Sequence, residues 1–204
     1  MTFEDLLPLV LPHVSACPEI LATQHLRLAT RKFCSDSLAW RAELDPITAD
    51  GTSTVYDLIP DDGSEIVKLI GVTAGDCLDF QVVTPSMGRS LTRYARCGDY
   101  VYTTDRRTMV LSSAPDEGRE IAVQVALQPT LDSLDIPDEL YSQYGEALAE
   151  GAIASLLLLP KKDWSDPNMS AVHRAIFADA ISSAGMVTMM GNGSTKPKVR
   201  GHFF

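Results

Sequence analysis

Residues 136–177 read IPDELYSQYGEALAEGAIASLLLLPKKDWSDPNMSAVHRAIF, and the expected architecture is built outward from them. Leu140, Tyr144, Ala147, Gly151, Ala154 and Leu158 recur at intervals of four and three, the spacing of one face of an α-helix. Glu139, Gln143, Glu146 and Glu150 fall on another line, which reads as an acidic, solvated face. Pro160 ends this helix. Asp166-Pro167 opens the next, with the aspartate as N-cap and the proline where its missing N–H does no harm. Met169, Val172, His173, Ile176, Phe177, Ala180, Ile181 and Ala184 then repeat as an apolar stripe. Only a few residues join the two helices, so they are expected to pack antiparallel.

The first of these helices carries little side-chain bulk. Gly145, Ala147, Ala149, Gly151, Ala152 and Ala154 allow a neighbouring backbone to come close. That neighbour is either another part of the same chain or another subunit. On the second reading, Gly145, Ala149, Gly151 and Ala152 form a subunit interface.

A similar helical pattern occurs near the start. Residues 18–38 (PEILATQHLRLATRKFCSDSL) place Ala22, Leu26, Ala29 and Phe33 on one line that continues to Trp40. Gln24, Arg27, Arg31 and Ser35 form a polar line, and Pro18-Glu19 fits a helix start. Between Trp40 and about Thr130 the period falls to two. Ile66, Lys68, Ile70 and Val72 alternate with Val67, Leu69 and Gly71; Leu78, Phe80 and Val82 alternate with Asp79 and Gln81. Ile121, Val123, Val125 and Leu127 alternate in the same way. Asp50-Gly51, Asp62-Gly63, Ala74-Gly75-Asp76 and Pro115 to Gly118 supply turns, and 86–97 reads as a helical turn or loop. The expected fold class is therefore α+β. A helical bundle formed by both chain ends (1–40 and 131–190) would carry an inserted antiparallel β-module (41–130) and an extended C-terminal arm (191–204).

Composition narrows the function. A chain of 204 residues with 45% hydrophobic residues can bury a substantial core. The net charge is −10, and the last fourteen residues contribute three cations and no acids, which leaves −13 on the rest. Such a body repels nucleic acid instead of reading it. Glu4 and Asp5 precede a short apolar stretch broken by Pro8 and Pro12, unlike a secretory signal. No run approaches the roughly 18 apolar residues of a membrane span. Cys17, Cys34, Cys77 and Cys97 lack metal-ligand or redox spacing and read as reduced, mostly buried thiols.

No catalytic motif is present: no H-E-x-x-H, no G-x-S-x-G and no phosphate-binding glycine loop joining a strand to a helix. His25 and His173 read as satisfied core or boundary histidines. Asp61-Asp62 and Asp116-Glu117 sit in turns, and Asp132, Asp135, Asp138 and Glu139 fit a helix entrance better than a cation site. No cofactor and no metal is expected.

The chain then changes character. Residues 187–204 read VTMMGNGSTKPKVRGHFF: glycine-rich, free of acids, basic, and finished by two phenylalanines. Ordering such a strip costs roughly 1–2 kcal/mol per residue in backbone entropy, while burying two Phe side chains returns about 1.5–3 kcal/mol each. It therefore reads as an arm that orders on a partner supplying carboxylates, hydrogen bonds and an apolar pocket.

Three stretches together resemble the head-to-tail adaptor proteins of tailed bacteriophages, also called neck, head-completion or tail tubular proteins. They are LPLVLPHVSACPEILATQHLRLATRKFCSDSLAW (7–40), the opening quotation (136–177), and KPKVRGHFF (196–204). With the helix–β–helix order, the likeness spans nearly the whole chain. It implies a structural virion protein rather than an enzyme. Its partners would be the portal protein, neighbouring copies of itself in a ring (commonly a dodecamer), and downstream tail or nozzle proteins. DNA would pass through the ring without sequence-specific binding, no membrane would be involved, and assembly would take place in the host cytoplasm. The portal-binding role carries over to Lys196, Lys198, Val199, Arg200, His202, Phe203 and Phe204. The alternatives are another oligomeric scaffold and a peptidoglycan-cleaving tail-machine enzyme.

Overall fold

The structure is a computed structural model, and it describes residues 1–75, 78–87 and 99–190. The chain opens with a 3-10 turn (Phe3–Leu6), α1 (Leu7–Val10) and a second 3-10 turn (Leu11–His13), followed by α2 (Glu19–Ser37). Eight strands come next: β1 (Arg41–Glu43), β2 (Ile47–Thr48), β3 (Val55–Asp57), β4 (Ser64–Ala74), β5 (Leu78–Val82), β6 (Tyr100–Tyr102), β7 (Thr108–Leu111) and β8 (Glu120–Pro129). Helices α3 (Asp138–Leu157) and α4 (Pro167–Met190) follow them.

Helix α2 forms where its periodicity places it. Pro18 precedes it in an extended conformation, and Leu38 ends it in the left-handed region at φ 54°. Ala22, Leu26, Ala29 and Phe33 are buried on one face, joined by Thr30, Cys34 and Ser37. Thr30 and Ser37 return their hydroxyl protons to the carbonyls of Leu26 and Phe33, so neither leaves a buried donor unsatisfied. Cys17 and Cys34 are free and buried, and burial pushes the Cys34 thiol up to about 12. Cys77 and Cys97 lie outside the described residues.

The strands form one sheet in the order β1-β8-β4-β5-β6-β7-β3, with β2 also pairing β8. Long β4 and β8 pair antiparallel from Ser64 opposite Pro129 to Ala74 opposite Ile121. The register slips twice, between Ile66 and Lys68 and between Leu69 and Gly71, so Val67 and Ile70 are each an extra residue. Bulges of this kind bend a strand and increase its twist. They also explain why β4 departs from simple alternation: Ile66, Leu69, Val72 and Ala74 are buried, and Lys68 is exposed. Strand β8 keeps Ile121, Val123, Val125 and Leu127 inward as its alternation predicts. Near its end, Ala126 and Gln128 are buried as well, where α2 lies against the strand.

This arrangement corrects the expected fold class. The architecture is an eight-stranded mixed sheet curled into a half-barrel and flanked by helices, not a helical bundle of both chain ends carrying an antiparallel β-module. Two features invisible in the hydrophobic pattern account for the difference. The bulges in β4 curl the sheet, and β5 and β6 pair parallel, Gln81 opposite Tyr100 and Val82 opposite Val101. A parallel pair needs a crossover rather than a hairpin. Most of that connection, including residues 88–97 of the expected turn or loop, lies outside the described residues.

Two apolar clusters organise the molecule. One joins the N-terminal segment, α2, α3 and α4; the other fills the curl of the sheet, and Trp40 packs against both. The turns behave as their residues dictate. Asp50 accepts hydrogen bonds from the Ser53 hydroxyl and from the Ser53 and Thr52 amides, which hold its carboxyl down at about 2. Gly51 follows at φ +76°, and a Cβ there would stand 3.0 Å from Cβ of Glu117.

Helix and sheet are tied by Arg31, half-buried on the expected polar line of α2. It donates to the Pro129 carbonyl at 2.5 Å and to Glu65 Oε1, which also accepts from Gln128. Burial pushes the Glu65 carboxyl up, but the hydrogen bonds from Gln128 and Arg31 outweigh it and leave its pKa lowered. A lowered folded-state pKa means stabilisation present above the unfolded value of about 4.3 and lost as pH falls through the folded value. Arg31→Ala should therefore cost about 1–3 kcal/mol at pH 7. Urea denaturation at pH 7 and pH 3 should show a smaller difference between wild type and variant at the lower pH. An equal difference at both would mean that the Pro129 contact alone matters.

Candidate functional site

The residues expected to bind a portal, Lys196, Lys198, Val199, Arg200, His202, Phe203 and Phe204, lie outside the described residues. Helix α4 is the last described element, and Met189 and Met190 in its final turn are 86% and 78% exposed.

Of the two readings of the small residues of α3, the structure shows packing inside the chain: Gly145, Ala149, Gly151 and Ala152 are all buried. A Cβ on Gly145 would meet Leu6 at 3.2 Å, and one on Gly151 would meet the Phe177 ring at 2.8 Å. Helix α3 touches α1, α2 and α4, so its second half is enclosed on several sides. That enclosure is why small side chains recur there on more than one face. Leu158, which the periodicity assigns to the apolar line, is 52% exposed. Gly151→Ala should cost about 1–3 kcal/mol through overpacking. Adding Phe177→Leu should restore part of the loss, as read by thermal denaturation.

A groove of about 440 Å³ runs beside this contact, lined by apolar atoms of Gly151, Ala154, Leu158, Phe177 and Ile181, with Lys32, Asp36 and Arg174 also lining it. A larger cleft of about 730 Å³ lies between the β3–β4 and β6–β7 connections, bounded by Ile59, Pro60, Glu65, Arg106 and Arg107. Asp105 shapes its rim by accepting from the Arg107 and Thr108 amides, which lower its pKa.

The histidines divide. His25 Nδ1 pairs with the Ser155 hydroxyl at 2.7 Å, and burial lowers its pKa, in keeping with a satisfied boundary residue. His173 is different. Its Nδ1 lies 2.5 Å from Glu150 Oε2, its Nε2 is buried without a partner, and its ring meets His13 edge-on at 5.1 Å. Glu150 is thus half-buried and paired, not part of a solvated acidic face. Sequence reading missed the pair because Glu150 and His173 stand on different helices. Their only common signal is that each lies near the junction between α3 and α4.

His173 borders a polar cavity of about 300 Å³ with His13, Asp163, Trp164, Ser165 and Asp166. A carboxylate accepting Nδ1–H fixes the imidazole tautomer, as in hydrolytic triads. Two of the cavity's other polar groups are committed to structure, while Trp164 Nε1 is buried without a partner. Ser165 donates to the Leu159 carbonyl, and Asp166 caps α4 by accepting from the Asn168 and Met169 amides at 3.0 Å. The arrangement orients the His173 ring, and the described residues bring it no hydroxyl or thiol to activate.

Among the described residues, no three His, Cys, Asp or Glu side chains converge on a metal position. Asp132, Asp135, Asp138 and Glu139 are exposed, and Asp138 takes an ion pair from the Met1 ammonium at 2.8 Å. No helix among the described residues is long and apolar enough to cross a membrane. Comparison with known proteins finds no family model that matches the chain and no curated protein that matches its sequence.

Proposed function

We propose that the chain is a structural adaptor of the phage neck, joining a portal to tail components as one subunit of a ring. The observation that carries this reading is the basic, doubly aromatic ending at residues 196–204, placed after a helix whose last turn is exposed. Fourteen residues beyond Met190, fully extended, reach at most about 50 Å, enough to leave one body and embrace another. Lys196, Lys198 and Arg200 supply cations for acidic partner side chains, and Phe203 and Phe204 supply apolar anchors. An acidic body suits a channel lining, because like charge keeps DNA from adhering as it passes.

The function would be performed by shape and charge, with no chemical step. The helical layer and curled sheet provide a rigid wall, and the arm provides attachment. Electron microscopy of the protein mixed with portal rings of candidate phages tests this directly. Added density capping the ring's exit is the expected image; rings unchanged by excess protein from every candidate would reject the assignment.

A further inference from the structure

Helix α4 buries only a narrow seam of Ser170, His173, Phe177 and Ala184. Beside that seam runs a second stripe that none of the described residues covers. Met169, Val172, Ile176, Val187 and Met190 are 44%, 51%, 47%, 45% and 78% exposed, and Ser183 completes the line. At 100° per residue these six positions fall within an arc of about 60°, along the whole length of the helix. The spacing of the stripe is a palindrome. Its intervals are three, four, seven, four and three, symmetrical about the bond between Asp179 and Ala180.

A palindromic stripe is self-complementary under a two-fold axis. We infer that α4 pairs antiparallel with α4 of a second copy of this chain. Met169 then faces Met190 of the other copy, Val172 faces Val187, and Ile176 faces Ser183, each contact occurring twice. This is the isologous contact that closes a dimer. The five apolar side chains expose roughly 500 Å² per copy, so pairing removes about 1,000 Å² in total, the lower bound for a specific interface. Ser183 near the axis and Asp179 at its margin, facing its own copy, weaken the pairing further. The expected species is a weak dimer of the free protein, and it stands apart from the adaptor assignment.

Register-specific cross-linking tests the inference in the full chain, with Cys77 and Cys97 replaced by serine. Met169→Cys and Met190→Cys are made in separate proteins, then mixed and oxidised. Within one register, 169 of one copy meets only 190 of the other. Two copies of residue 169 are about 32 Å apart along the helix axis. A disulfide dimer that forms in the mixture but in neither protein alone is the expected result. Ile176→Asp added to both should weaken association about 100-fold, since it sets two unpaired carboxylates in an apolar contact. Circular dichroism checks that this variant folds, and Val172→Asp replaces it if it does not. A cross-link formed by either cysteine protein alone, a mixture without one, or a wild-type protein still monomeric by sedimentation at about 300 µM would overturn the pairing.

Discussion

Phe33→Ala should destabilise the protein by about 3–5 kcal/mol, the largest effect expected of any single truncation. Phe33 is fully buried on α2, and its ring stands 4.9 Å from Tyr144 on α3 and 6.2 Å from Phe177 on α4. It is thus the side chain on which three helices converge. Removing it takes away apolar burial and leaves a cavity that helices held from three sides cannot collapse to fill. For a chain of this size the melting temperature should fall by roughly 6–20 °C. Phe177→Ala is the informative comparison. Phe177 borders the 440 Å³ groove, so its removal enlarges a space already open to solvent and should cost less. Equal losses for the two would show that the groove closes in solution.

Deleting residues 191–204 should have the opposite profile, abolishing partner binding while leaving the melting temperature unchanged. Among the described residues every member of both apolar clusters precedes Met186, which is why the cores are expected to survive the deletion. Binding should then be dissected by chemistry. Phe203→Ala and Phe204→Ala remove anchors of the kind that dominate interface energetics, about 2 kcal/mol or roughly 30-fold each. Replacing Lys196, Lys198 and Arg200 with glutamine should weaken binding most at low salt, because exposed charges are screened beyond a Debye length of about 8 Å at physiological ionic strength. A truncated protein that still decorates portal rings would sink the arm as the attachment device. One that unfolds would show the strip to belong to the core.

The readings that held up were local ones. The inward face of α2, from Ala22 through Phe33, needs only a repeat of 3.6 residues, and the Asp166-Pro167 start of α4 needs only its own hydrogen bonds. Gly51, Gly63, Gly75 and Gly118 sit in turns at positive φ where their neighbours announced them. These features depend on a few consecutive residues and the steric rules of one backbone.

The errors share the opposite property. Burial along β4 depends on two extra residues, Val67 and Ile70, which exist only relative to β8. The parallel step from β5 to β6 is a choice of partner that alternation cannot express. Glu150 looked like a solvated acid until α4 brought His173 beside it, and packing inside the chain, one of two readings open for Gly145 and Gly151, became visible only with Leu6 and Phe177 beside them. Conversely, Val172 and Ile176 sit in an apolar repeat and yet remain open to solvent. An amino-acid pattern states which faces avoid water; it does not name what covers them. That pairing is settled by long-range register, because each face is satisfied equally well by any surface of the right shape, and only the closed chain chooses among them.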